Sequence, residues 1–344
     1  MLRIILSLAL LSACLTNTNA SLMNRFFDWA AEHHINVPEE DHLFLHLYNN
    51  WVTNDKIIVE TNYKNLSYTL GHNAYSGLSS AEFAEHMHFA ANREFLSTVD
   101  TFGKVVGIED SNYLRGIPAS VDWRTKGAVS PVQDQGQAGT CYSFSTSCAV
   151  ESAHAIQTGN LVKLSEQQIV SCSTIKNGGP NMGVNGGQIA QTFTWIGKVG
   201  GLCTESAYPY TSGTTRDTGT CQTTCSKVGG TAPKSVVNVK ANSETDMKAA
   251  IATTVVSVAI EADQSVFQLY KSGVFNDPKC GTKLDHAVAL VGYNTMDGQG
   301  YFILRNSWSS SWGQGGYMYI ASSGQNNNGA GTCGVLMEGS YPVL

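Results

Sequence analysis

Apolar positions recur at helical spacing from residue 21 to about residue 229, and then in short continuous runs to the C-terminus. Phe26, Phe27, Trp29 and Ala30 begin the first helical pattern. A longer one runs from Leu43 through Ile58, with Trp51, Asn54, Ile58 and Asn62 at intervals of three, four and four. A third places Phe144, Cys148, Ala149, Ala153 and Ile156 on one face and ends at Gly159, a left-handed stop signal. The runs 235–239, 255–260, 287–293, 301–305 and 316–320 read as strands, separated by Gly- and Asn-rich turns such as 322–331. A helix-rich part (117 to about 229) and a β-rich part (230–344) follow a mainly helical front segment.

At 344 residues, one compact domain is expected only if part of the chain is removed. The first 20 residues read as a secretory signal: Arg3, an apolar run from Ile4 to Ala13, then Thr18-Asn19-Ala20 as a small-residue cleavage site. No stretch reaches the ~20 apolar residues of a membrane span, so no membrane partner is expected. Charge is uneven: residues 1–116 hold 7 basic and 13 acidic side chains, whereas residues 117–344 hold 14 of each. No basic stripe invites nucleic acid. Seven of the nine histidines (33, 34, 42, 46, 72, 86 and 88) lie in the front segment, leaving His154 and His286 beyond it. His154 is expected on a solvated helix face. Asn65-Leu66-Ser67 is a glycosylation sequon.

A glycine-punctuated loop, Gln135 to Thr140, leads into Cys141 where the third helix begins. Helix dipoles favour a thiolate there, so this is a place to build a nucleophile. A nucleophile needs a base, and the base an orienting group. His286 lies 145 residues after Cys141 and Asn306 a further 20. That order and separation match the papain and cathepsin group.

The resemblance to papain-like cysteine proteases extends through Val121-Asp122-Trp123-Arg124, Leu164-Ser165-Glu166-Gln167-Gln168, Asn185-Gly186-Gly187, Tyr208-Pro209-Tyr210 and Asn306-Ser307-Trp308 to Trp312-Gly313. It implies an α+β, two-lobed papain-like fold with a helical lobe, a β-barrel-like lobe and a cleft between them. It implies a catalytic set of Cys141, His286 and Asn306, with Gln135 at the oxyanion. By position, Gly139, Gly186 and Gly187 leave room for an extended substrate. Ile189, Ala259 and Leu284 line an apolar pocket two residues before the cut, Asp285 sits beside it, Glu338 closes its far end, and Trp308 shields the His286–Asn306 bond. Disulfides Cys172–Cys221 and Cys280–Cys333 follow from the same resemblance, each closing a loop of about 50 residues worth roughly 4 kcal/mol in the chain-entropy model. Cys203 with Cys225 is a plausible third, and Cys148 is expected as a buried thiol. The pair of cysteines that usually braces the oxyanion loop is absent together, with Ala138 and Val184 in its place; Tyr142 stands for the usual tryptophan.

Residues 21–116 resemble the family's inhibitory propeptide, with departures. Leu43 and Leu47 stand where the helical motif usually begins with an acid and a base. The stretch Gly71 to Gly77 resembles the family's short propeptide strand, with Tyr75 as its aromatic and without its final acid. Mature protein is expected to begin near Ile117. The implied activity is that of a cysteine endopeptidase made as a zymogen, in the free form carrying a thiolate–imidazolium pair. The loop Ser173 to Val184 lacks the histidine pair of exopeptidase relatives. An inactive binding relative and an acyl transferase are the alternatives. Expected partners are peptide or protein substrates and the chain's own propeptide; a monomer, secreted or in a lysosome or vacuole, is expected. No metal or cofactor is expected, because His286 has no second His or Glu at metal-ligand spacing.

Overall fold

A computed structural model describes residues 21–87, the backbone of 104–106, and residues 116–323 and 328–344. The expected signal segment, His88, the residues just before Gly116 and the centre of the 322–331 turn lie outside the described residues.

The front segment is two helices, α1 (21–32) and α2 (Asp41–Asn62), then strand β1 (Tyr68–Leu70) and helix α3 (Ser80–His86). Phe26, Trp29, Ala30 and Trp51 form a core separate from the main one. Asn54 and Ile58 are buried on the same face of α2, and the Asn54 amide donates to the carbonyls of Ser76 and Leu78, both at 2.9 Å. Residues 71–77 are a turn, not the expected strand; the strand lies just ahead of it. Asn73 makes that turn, its side chain accepting from Tyr75 N while Ser76 Oγ accepts from Asn73 N. Two of the departures noted in the sequence, Leu47 and Gly77, meet in one packing contact. A Cβ at Gly77 would collide with Leu47 Cδ1 and come within 3.0 Å of Trp29. An apolar contact between Leu47 and the backbone at Gly77 thus stands where charged residues are usual.

Strands β2 (Lys104–Val106) and β3 (Val121–Asp122) precede α4 (Cys141–Thr158), α5 (Glu166–Cys172), α6 (Ile189–Lys198) and the single turn α7 (Ser212–Thr215). Then come β4 (Ser235–Val239), α8 (Glu244–Thr253), β5 (Val256–Ile260), α9 (Ser265–Gln268) and β6 (Tyr270–Phe275). Strands β7 (His286–Met296), β8 (Gln299–Arg305), β9 (Tyr317–Ala321) and β10 (Gly339–Val343) complete the chain. The sequence pattern missed β6 and β10, which are short and show no regular alternation of buried and exposed positions.

The sheet runs β1-β6-β9-β8-β7-β5-β10-β4-β2, with β3 paired to β7. Both ends of this path are strands of the front segment. β1 lies antiparallel on β6, and β2 parallel on β4. Unpaired strand edges invite further pairing; here the front segment occupies both.

Helix α4 crosses the face of the sheet. Ser145 Oγ donates to Val288 O at 2.7 Å and Ser257 Oγ to Ser145 O at 3.0 Å, fixing α4 on β7 and β5. Because α4 is covered on nearly every side, His154 is buried at 6% exposure, contrary to the solvated face expected; its Nδ1 pairs with Asn160 O at 2.9 Å. Disulfides join Cys172–Cys221, Cys203–Cys225 and Cys280–Cys333, and Cys148 is a buried thiol.

Candidate active site

Cys141 is the first residue of α4, and His286 the first residue of β7. Their approach follows from α4 lying across β7. The Cys141 sulfur accepts a hydrogen bond from the backbone N–H of Ala287, the residue after His286. His286 Nε2 pairs with Asn306 Oδ1 at 2.8 Å, leaving Nδ1 as the ring nitrogen for other work. Asn306 Oδ1 also accepts from Ser307 N at 2.8 Å, which fixes the amide's orientation. Trp308, fully buried, stacks on the imidazole at 4.7 Å between centroids and 24° between planes.

Gln135 is fully buried and held at both ends of its amide. Its Nε2 donates to Ala138 O at 2.9 Å and its Oε1 accepts from Ser307 Oγ at 2.6 Å. An amide nitrogen carries two hydrogens, so one remains for a developing oxyanion. The Tyr210 hydroxyl donates to Gln135 O at 2.7 Å. Gly136 has φ 60° and packs so tightly that a Cβ would lie 2.5 Å from Gly213 O. Gln167 Oε1 in turn accepts from the backbone N–H groups of Thr211 and Ser212 at 2.8 and 3.0 Å. Thus two motifs seen only as family markers, Gln167 on α5 and Tyr210, position the oxyanion loop. Sequence reading had given them no role.

Where the family's brace cysteines are missing, Ala138 and Val184 pack in a small apolar cluster with Val170 and Tyr210. Gly139 N donates to Val184 O at 2.8 Å. The loop is therefore tied by backbone bonding and apolar contact.

The residues expected to line the pocket lie on three parts of the fold, and Ala259 and Glu338 are in direct contact. Ala259 N donates to Glu338 O at 3.3 Å, and Ile260 pairs with His286 across β5 and β7. Leu284 Cδ2 would lie 2.8 Å from a Cβ at Gly334, beside Cys333. Ile189 is fully buried at the start of α6. Asp285 is fully buried and accepts from Ala262 N at 2.8 Å, so its carboxylate is bound to backbone. Gly186 takes φ 115°. At Gly187 a side chain is excluded from within, since a Cβ would meet Asn181 Oδ1 at 2.5 Å and the Tyr142 ring at 2.6 Å. Its bareness serves packing as well as any substrate.

Burial dominates the electrostatics. It pushes the Cys141 thiol up to about 12, against the lowering effect of the Ala287 and Tyr142 N–H groups. It lowers His286 to about 4, with the Asn306 bond opposing. In this form the pair is a neutral thiol beside a neutral imidazole, not the ion pair expected of the free enzyme. Desolvation penalises both charges and outweighs the helix dipole. The Glu338 carboxyl is raised to about 7 by burial, and its Oε2 has no hydrogen-bond partner among the described residues.

The front segment meets this site at Trp308. The Phe83 ring of α3 lies edge-on to Trp308 at 5.2 Å, and Tyr75 at 6.2 Å. Gln268 Nε2 donates to Tyr75 O at 2.8 Å, and the Asn73 amide to Gln268 O at 2.7 Å.

A papain family cysteine protease domain matches residues 117–343. The chain belongs to the papain family. The probable cysteine protease RD21B of Arabidopsis thaliana is 42% identical over 292 residues, which is 84% of this chain and 59% of that relative. The chain thus spans less than two thirds of that protein's length. Two precursors of solved structure share the papain-family fold with it. A recombinant stem bromelain precursor gives a TM-score of 0.81 at 32% identity, covering 94% of this chain and 99% of that one. Digestive procathepsin L 3 of Tenebrio molitor gives 0.79 at 31% identity, with 94% and 99% covered.

Proposed function

We propose that the chain is a cysteine endopeptidase made as a zymogen: signal 1–20, inhibitory propeptide 21–116 and mature enzyme 117–344. The single observation that carries this is the His286–Asn306 bond at 2.8 Å under Trp308, with the Cys141 sulfur bonded to the N–H of Ala287. In the mature enzyme Cys141 Sγ attacks a peptide carbonyl. The oxyanion takes hydrogen bonds from Gln135 Nε2 and Cys141 N. His286 protonates the leaving amine and later deprotonates the water that releases the acyl group. Asn306 holds the ring. Three disulfides fit a secretory route. The test is acid incubation of the precursor, labelling with a thiol-directed epoxide, and mass mapping. Label on any residue other than Cys141, or none after maturation, would reject the reading.

Acid is proposed to release the propeptide. His72 stacks on Trp51 at 4.5 Å and 9°, with Nε2 on Asp55 at 3.0 Å and Nδ1 buried without a partner. Arg25 from α1 forms an ion pair with the same Asp55, and His33 of the adjoining turn adds positive charge. Burial lowers the His72 pKa from its ordinary 6.5. The unfolded segment therefore binds a proton that the folded one resists, and folded stability falls as pH drops below 6.5. Precursor maturation should be faster at pH 4.5 than at pH 7. His72→Phe should move its midpoint roughly half a unit lower; an unmoved midpoint would remove His72 from the switch.

Glu338 is proposed to admit Arg two residues before the cut. Ionisation near pH 7 should raise the Arg-to-Phe ratio of kcat/KM by about tenfold as pH climbs through that value, the worth of a charge-assisted hydrogen bond. In Glu338→Ala the ratio should be flat with pH; a ratio that still climbs would place the selectivity elsewhere.

A further inference from the structure

Trp308 stacks on the His286 ring, and Ser307, next to that tryptophan, donates to the Gln135 side chain. Asp134 pairs with Trp308 in an isolated β-bridge, so the loop that carries Gln135 and the tryptophan form one wall. In the reading above the leaving amine takes its proton from His286, whose ring lies against this wall. Two residues beyond Gln135 on the same loop, Gln137 lines a cavity together with Arg216 of the mature part and Leu78, Glu82, Glu85 and His86 of the front segment.

Arg216 is an exposed side chain on a fixed base. Its backbone is held at φ 56° just past α7, with its N–H donating to Ser212 O at 2.9 Å. Gln137 N donates to Gly213 O at 3.0 Å, which joins the two residues through one short turn. The Gln137 Oε1 is buried and has no hydrogen-bond partner among the described residues. A half-turn of that amide presents N–H donors instead, an exchange that costs no existing bond. The neighbouring acid, Asp134, has its carboxylate turned to Gly136 N at 2.8 Å. Among the described residues lining this cavity, Arg216 and His86 are the basic side chains, and the front segment contributes Glu82 and Glu85. Glu82 is already occupied by Ser79, Asn50 and His46, whereas Glu85 is exposed.

We propose that Arg216 and Gln137 form a subsite for an acidic side chain within the first three residues after the scissile bond. The proposal rests on the endopeptidase reading above and adds a preference on the leaving-group side. Once the front segment departs, Glu82 and Glu85 leave with it, and the guanidinium faces open cleft. A substrate Glu or Asp then takes their place, with the guanidinium fork on the carboxylate and the turned amide donating a further bond. The same chemistry lets the front segment lie on this wall in the precursor.

The test uses matured enzyme with active sites titrated by a thiol-directed epoxide, and quenched peptides that differ only by Glu, Gln or Lys at the first, second or third position after the cut. Wild type should favour Glu over Lys by about fivefold in kcat/KM at one of these positions, the upper range for a solvated ion pair. The preference should shrink as salt rises. Arg216→Gln should bring the Glu-to-Lys ratio to near one and Arg216→Glu should invert it. The ratio is internal to each variant, so a change in active fraction does not affect it. Peptides cut with no Glu preference, or a preference that persists in Arg216→Gln, would overturn the subsite alone. Titrated enzyme that cuts none of the peptides would overturn the endopeptidase reading.

Discussion

Replacement of Cys141 by Ser is expected to lower peptide hydrolysis by at least about 10⁴-fold, on the scale of losing a catalytic nucleophile, and to leave the precursor at full length after acid incubation. The oxygen sits at the same helix start and keeps the N–H of Ala287, but its proton is far harder to remove than a thiol's. His286→Ala should lose about 10²-fold or more through general acid–base catalysis alone. Asn306→Ala should cost less than His286→Ala, because Trp308 still stacks on the ring at 4.7 Å. The measurement is kcat/KM on a fluorogenic peptide, with gel analysis of the precursor band. Full-rate hydrolysis by Cys141→Ser would end the covalent mechanism.

Alkylation of Cys141 by iodoacetamide at pH 6 should be slower in the precursor than in matured enzyme by on the order of 10³-fold or more, since only the thiolate reacts. With the thiol at about 12 and the imidazole at about 4, both groups are neutral between those values. The sign is fixed by burial, which disfavours either charge. In the precursor the rate should therefore climb with pH throughout the accessible range. Release of the front segment hydrates the cleft, the Cys141 pKa falls and that of His286 rises, and each charge then stabilises the other. The matured enzyme should show a plateau beginning in the acid range. Site-resolved mass mapping separates Cys141 from the buried Cys148 thiol. A precursor with the same acid plateau would show that the front segment blocks access without altering protonation.

The proposed zymogen is held together by contacts of its front segment. The front segment closes both ends of the sheet and sets Phe83 against Trp308. Its own fold depends on the Trp51–His72–Asp55–Arg25 stack and on Leu47 filling the space beside Gly77. Loosening that small core detaches the contacts at Trp308 without disturbing the three disulfides of the mature part.

Much of the site was legible because its chemistry depends on residue type and order. A cysteine at a helix start, one histidine at the head of an apolar run, and an asparagine ending the next run needed no coordinates. Helices α2 and α4 and strands β7 and β8 were legible because they are long enough to show a period. Strands β1, β6 and β10 were not, since each gains its place only by pairing with a distant segment: Tyr68 with Gly273, Tyr341 with Val237. His154 was misjudged for a related reason. One helix's pattern shows which face is most apolar, but not that packing covers the others as well.

The sequence by itself determined the family, the cysteines left for disulfides, and which residues are proposed as nucleophile, base and orienting amide. These are local chemical identities in a fixed order along the chain. Only the tertiary structure decided the charge state of the pair, the covering of both sheet edges, the bracing of Gln135 by Tyr210 and Ser307, and the meeting of Arg216 with Gln137. Desolvation and edge pairing are set by neighbours brought from distant parts of the chain, and no local pattern records them.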